Sequence, residues 1–126
     1  MARPRRLNRR HPVSGLVALS GRVALVTGAA RGIGRAIALR ADIGRAVHAR
    51  RIVADTVRRL GGLDILVNNT GIAHRDSLEG TSEKTWDRVV EVLLKGTFLC
   101  CQAAVPAMRR RGGGKIVNVS SLSGLS

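Results

Sequence analysis

Three glycines set close together after an apolar run are the first residues in this chain placed to do chemistry. Gly28, Gly32 and Gly34, in TGAARGIG at 27–34, follow Val23, Ala24, Leu25 and Val26 and precede a helical pattern from Arg35 to Arg40. Residues without a Cβ let the backbone turn tightly and come close to a ligand. The free N–H groups and positive dipole end of the helix that follows favour an anion there, commonly a pyrophosphate. The spacing is G-x-x-x-G-x-G rather than the commoner G-x-G-x-x-G, and a turn that merely joins a strand to a helix can show the same pattern. A second candidate is Asn68-Asn69-Thr70-Gly71, turn-forming residues that end the apolar run Leu63 to Val67. They fall at a strand's carboxyl edge, where open α/β sheets hold their ligands. Metal chemistry finds no support. Cys100 and Cys101 are adjacent in a helical pattern and point in different directions, which argues against a disulfide framework or metal site and for a reduced, cytoplasmic setting. His11, His48 and His74 have no ligand spacing and read as surface or loop residues.

The elements that must hold these turns follow from hydrophobic patterning. Val23 to Val26 suits a strand buried on both faces. Ala46, Ala49, Val53, Val57 and Leu60 recur at helical spacing with Arg50, Arg51, Arg58 and Arg59 between them, an amphipathic helix covering one face of a sheet. Gly61 and Gly62 stop that helix and LDILV at 63–67 forms the next strand. Thr81 or Ser82 caps a second helix carrying Trp86, Val89, Val90 and Leu93, which continues through Phe98, Cys101, Ala104 and Met108 with a bend expected at Pro106. Arg109 to Arg111 suit its C-terminus as surface charge facing the dipole. Gly112 to Gly114 then turn the chain into a third strand, Lys115 to Ser120. Strand, helix, strand, helix, strand implies a parallel sheet with right-handed crossovers.

Composition sets limits on this plan. With 126 residues there is room for one small domain, and one Trp, one Phe and no Tyr leave its core to Val, Leu, Ile and Ala. The formal charge of +14 is concentrated early: residues 1–41 hold nine Arg and no acidic residue. Residues 1–20 therefore read as a basic, disordered arm ahead of a domain at 21–126. The arm carries none of the aromatics that stack on bases, so a nucleic-acid partner is not expected. Its basic residues followed by VSGLVALSG resemble a short targeting segment, but Gly15, Gly21 and Arg22 interrupt the apolar part. No run of 18 apolar residues occurs, so no membrane span is expected.

Taken together, TGAARGIG at 27–34, NNTG at 68–71 and GGGKIVNVSSLSG at 112–124 resemble the short-chain dehydrogenase/reductases, NAD(P)-dependent oxidoreductases on a Rossmann fold. The likeness runs from Arg22 to Ser126. It implies an α/β fold, a partial Rossmann-type doubly wound parallel sheet with about three strands retained. It also implies hydride transfer between NAD or NADP and a small carbonyl or alcohol substrate. Gly28, Gly32, Ile33 and Gly34 would line the pyrophosphate and nearby ribose, Thr27 would brace the first strand against the NNTG turn, and Asn68, Thr70 and Gly71 would sit beside the adenosine ribose. Thr70 stands where the family usually has Ala. Arg31 would be placed to meet an NADP 2′-phosphate, with a solvent-facing Arg as the alternative, and Asp42 corresponds to the family's adenine-side Asp. Family members commonly associate through the long helix, here 83–111.

Two departures stand out against that resemblance. About 30 residues, one β-α-β unit, are missing between Arg40 and Ala41, which leaves the first strand at a sheet edge and removes the residue that separates NAD from NADP. The family's catalytic Ser is matched by Ser121, but Leu93 occupies the position of its relay Asn. Its Tyr and Lys would lie beyond Ser126, and this chain has no Tyr to substitute. The resemblance therefore implies an incomplete oxidoreductase without turnover as written; the alternative is a non-catalytic nucleotide-binding remnant or interaction fragment.

Overall fold

The computed structural model describes residues 19, 21–28, 42–72 and 77–120. They build three strands and two helical crossovers: β1 (Ala24–Val26), α1 (Ala46–Leu60), β2 (Ile65–Asn68), a long helix made of α2 (Glu83–Val90), a π-helical turn (Glu91–Lys95) and α3 (Gly96–Arg110), then β3 (Lys115–Asn118). The sheet is parallel in the order β1-β2-β3, with Val26 beside Val67 and Asn68 beside Asn118. Both connections are thus crossovers of the α/β kind, which brings the turns after β1 and β2 to the same edge.

Ala49, Ile52 and Val53 of α1, Leu63 just ahead of the central strand and Leu66 within it, and Leu99, Cys100, Ala104, Ala107 and Met108 of α3 belong to one buried cluster. Gly61 ends α1 in the left-handed conformation, φ 85°, its N–H bonded to Val57 O. Leu60, read as part of the apolar face, is exposed because the helix ends there and turns away from the sheet. Ser82 caps α2 by accepting a hydrogen bond from the Thr85 N–H.

β1 is not buried on both faces. Ala24 is exposed and Leu25 and Val26 are half-buried. Among the described residues this strand has a neighbour only in β2, so it is an edge although its sequence suits a centre. β3 is exposed along its length for the same reason on the other side.

The long helix keeps its expected face only in part: Ala104 and Met108 are buried and Val89, Val90 and Cys101 half-buried, as the pattern implies. Trp86, Leu93 and Phe98 are exposed, whereas Val92, Gly96, Leu99, Cys100, Ala104, Ala107 and Met108 are buried. The π turn adds a residue and re-phases the helix, and the row of small residues is the one that admits close neighbours. A Cβ on Gly96 would lie 2.8 Å from Ile43 Cγ1. α3 continues through Pro106 to Arg110. By length and hydropathy Glu83–Arg110 would suffice to cross a membrane, but one of its faces packs on α1 and β2.

At the amino end of the sheet, Asp64 is buried and ties three segments together. Its carboxylate accepts from Arg111 Nη2 at 3.0 Å and Nε at 3.2 Å, from the Val23 N–H at 2.8 Å and from Arg22 Nη1 at 3.4 Å. Arg111 is thus a structural partner of Asp64 rather than free surface charge.

Candidate nucleotide-binding turns

The turns after β1 and β2 are joined by Thr27. This residue is buried and its N–H continues the ladder to Val67 O at 2.9 Å. Its Oγ1 accepts the Asn69 N–H at 3.1 Å, fixing the second turn against the first. Gly28 follows with φ 69°. A Cβ there would lie 2.6 Å from Asn69 O and 2.9 Å from Thr70 Cα, so the glycine is required by the approach of one backbone to the other. Its side toward solvent remains open, since Gly28 is exposed. Gly71 is exposed too, and a Cβ on it would meet nothing nearer than Leu93 Cδ2 at 3.9 Å. Thr70, between them, is half-buried. Among the described residues the result is a shallow shelf of backbone at adjacent strand tips with little side-chain bulk around it.

Asn68 works from beneath. Its side chain is buried, and Nδ2 donates to Asn118 Oδ1 at 2.9 Å and to Cys101 Sγ at 3.3 Å, so it links β2 to β3 and to α3. Its Oδ1 is buried without a partner among the described residues. Asn118 was not singled out from the sequence. The usable signal was a polar residue in each of two apolar strands, and the register sets them directly opposite.

Leu93, at the relay-Asn position, lies in the π turn, with its Cδ2 toward Gly71. An aliphatic side chain there can shape the shelf but neither donates nor accepts a proton. Asp42 is engaged elsewhere: Oδ1 accepts from the Gly44 N–H at 3.2 Å, Oδ2 pairs with Arg88 at 3.3 Å, and the Asp42 N–H donates to His48 Nδ1 at 3.1 Å. These contacts hold the entry to α1, and none runs to Thr27, Gly28 or the Asn68–Gly71 turn. His48, read as a surface or loop residue, is instead half-buried on α1. Arg31, Gly32, Ile33, Gly34 and Ser121 lie outside the described residues, as do His11 and His74. Among the described residues no group of three metal-ligating side chains occurs, and both cysteines are free.

Burial raises the Cys100 thiol to about 11, with a smaller contribution from neighbouring Cys101, so it is an inert core residue at neutral pH. The Asp64 carboxyl is held down at about 2, first by the Arg111 hydrogen bonds and then by the Val23 N–H.

With this geometry in place, comparison with known proteins decides the family. The short chain dehydrogenase family model matches residues 36–126. The chain belongs to the short-chain dehydrogenases. It is 34% identical to the 3-oxoacyl-[acyl-carrier-protein] reductase FabG of Staphylococcus aureus over 80% of this chain and 56% of that protein. An uncharacterized oxidoreductase of Thermotoga maritima is 50% identical over 64% of this chain and 32% of its own length. Among solved structures, a protein assigned as a short-chain alcohol dehydrogenase from Sinorhizobium meliloti superposes with a TM-score of 0.78 at 35% identity, covering 83% of this chain and 56% of that one. This short-chain dehydrogenase thus spans about half the length of such relatives.

The alignments also reveal the internal shortfall. The Staphylococcus match extends over 138 positions yet takes in 80% of this chain, about 101 residues, so about 37 positions of the relative have no counterpart here. The Thermotoga match, 80 residues over 64% of the chain, has no such deficit. The shortfall is about the length of one β-α-β unit, and among the described residues β1 has no neighbour on its other side.

Proposed function

We propose that this short-chain dehydrogenase chain carries the dinucleotide shelf of an NAD(P)-dependent oxidoreductase, whose reaction moves a hydride between the nicotinamide and a small carbonyl or alcohol. The observation that carries this reading is the joining of the two turns by Thr27 and Gly28. The Thr27–Asn69 hydrogen bond and the bare approach of Gly28 to Asn69 and Thr70 hold two backbone turns side by side at adjacent strand tips. Such a shelf fits a diphosphate, which binds through main-chain N–H groups and tolerates no intruding Cβ.

In this reading Gly28, Gly32, Ile33 and Gly34 line the diphosphate, and Thr70 and Gly71 lie beside the adenosine ribose. Asn68 acts from below by holding the turn to β3. Arg31 is placed for a 2′-phosphate, and Asp42 closes the adenine side through the segment it anchors. When bound, the nicotinamide cofactor supplies or accepts the hydride. Ser121 polarises the substrate carbonyl. Since Leu93 transfers no proton and no Tyr occurs in these 126 residues, proton transfer, worth roughly 10²- to 10⁴-fold in rate, is assigned to the whole protein and not to these residues. The purified 126-residue chain is therefore a binder without turnover.

We place self-association on the long helix, where Trp86, Leu94 and Phe98 stand exposed, and the protein in the cytoplasm, in keeping with its unpaired cysteines. Titration of NADH and of NADPH into the chain, followed by nicotinamide fluorescence, tests the assignment. Saturable binding is expected. A chain with helical circular dichroism and no saturable response to either would end it.

A further inference from the structure

The outer surface between α1 and α3 has no part in the nucleotide shelf. Here the two helices form an open groove of about 350 Å³. Its floor is aliphatic, from Val53, Ala54, Val57 and Ala103, and three arginines, Arg50, Arg58 and Arg110, stand around it. Arg58 pairs with Asp55 one turn back; no ion pair holds Arg50 or Arg110 among the described residues. Crossover helices run against the strands, so Arg58 and Arg110, in the last turns of α1 and α3, lie toward the amino end of the sheet, away from the turns after β1 and β2.

We propose that this groove docks an acidic amphipathic helix of a protein partner. Charge disfavours two nearer occupants: this chain's own arginine-rich arm repels the rim, and a second copy docked symmetrically here would set Arg50, Arg58 and Arg110 against their own kind, while the self-association face at Trp86, Leu94 and Phe98 lies outside the groove lining. A small anion is poorly served, because an open groove cannot bury most of a ligand's surface as small-molecule sites do. A nucleic acid would gain from the arginines but has no use for an aliphatic floor, and the groove offers no aromatic ring to stack on. A helix with aliphatic anchors flanked by carboxylates uses both features. Arg50 and Arg58 are eight residues apart on one helix, about 12 Å along its axis. The matching carboxylates therefore fall two turns apart on the partner, with Leu, Ile or Val between them.

The test uses a fluorescein-labelled synthetic helix of roughly 18 residues, about five turns, with Glu repeated every fourth position along one stripe and Leu along the neighbouring stripe. Its companions are a scrambled peptide of equal composition, a DNA duplex, and vesicles of phosphatidylcholine and phosphatidylglycerol. Anisotropy is expected to show saturable binding of the patterned peptide, about tenfold tighter than the scrambled one. Arg50→Glu and Arg110→Glu, both at exposed positions, are each expected to weaken it about tenfold. Ala54→Gln, which leaves every charge in place, is expected to weaken it by obstructing the floor. Equal binding of the scrambled peptide, the duplex or the vesicles would overturn the proposal in favour of a general polyanion surface, as would the absence of binding or indifference to all three substitutions. NADH titration of the same variants is expected to be unchanged, which separates this test from that of the nucleotide shelf.

Discussion

Replacing Gly28 with alanine puts a methyl group into the contact that joins the two turns. The new Cβ would sit 2.6 Å from Asn69 O and 2.9 Å from Asn69 C and Thr70 Cα, all main-chain atoms that cannot rotate aside as a side-chain tip would. The residue must also keep φ near 69°, which costs an L-residue about 1–2 kcal/mol. Relieving the clash separates the turns by several tenths of an ångström, which adds roughly 1–3 kcal/mol of overpacking strain and about 1 kcal/mol from the stretched Thr27–Asn69 hydrogen bond. Gly61→Ala supplies the control: its φ is 85° but nothing lies within 4 Å of a Cβ there, so only the conformational cost applies. Urea unfolding followed by circular dichroism should rank the proteins wild type, Gly61→Ala, Gly28→Ala, with Gly28→Ala about 3–6 kcal/mol below wild type and Gly61→Ala about 1–2 kcal/mol below. If Gly28→Ala is no less stable than Gly61→Ala, the turns do not meet as described and the shelf argument fails.

Other outcomes follow from neighbouring parts of the structure. Asp64→Asn should lower the melting temperature at neutral pH and flatten its acid dependence. Because the folded-state carboxyl is depressed to about 2 from an ordinary 3.8, its contribution is complete above the ordinary value and is lost as the pH falls through about 2. Thermal melts between pH 5 and pH 2 check the sign, and an undiminished slope in the variant would count against it. Reaction with a thiol reagent at pH 8 should modify half-buried Cys101 while Cys100 stays protected until the chain unfolds; peptide mapping distinguishes the two. Ser82→Ala removes the hydrogen bond to the Thr85 N–H and should cost about 1 kcal/mol in urea unfolding.

What the sequence made legible was local and periodic. The helix stop at Gly61, the cap at Ser82 and the order of strands and helices rest on near-neighbour chemistry, and the structure contains each of them; the bracing of the NNTG turn by Thr27, 42 positions from Asn69, was implied only by the family resemblance. Exposure was less legible, because it depends on what lies beside an element. Val23 to Val26 reads as a central strand, yet among the described residues β1 stands at an edge with β2 as its one neighbour. The long helix carries two apolar stripes, a bulky one with Trp86, Leu93 and Phe98 and a small-residue one with Gly96, Cys100 and Ala104. The apolar pattern mixes residues of both, since Ala104 and Met108 are buried while Trp86, Leu93 and Phe98 are not; the space between α3, α1 and β2 makes the choice, and the π turn at Glu91–Lys95 sets the phase. The links of Asp64 to Arg111 and of Asn68 to Asn118 join residues 47 and 50 positions apart, beyond the reach of any local pattern.

The central claim is that a dinucleotide lies on the turns after β1 and β2. Amide chemical-shift mapping of the ¹⁵N-labelled chain with added NAD⁺ tests it most directly. Saturable shifts at Gly28, Asn69, Thr70 and Gly71, with little change at Arg50 and Ala103, are the predicted result; shifts confined to other residues, with those four amides unmoved, would contradict it.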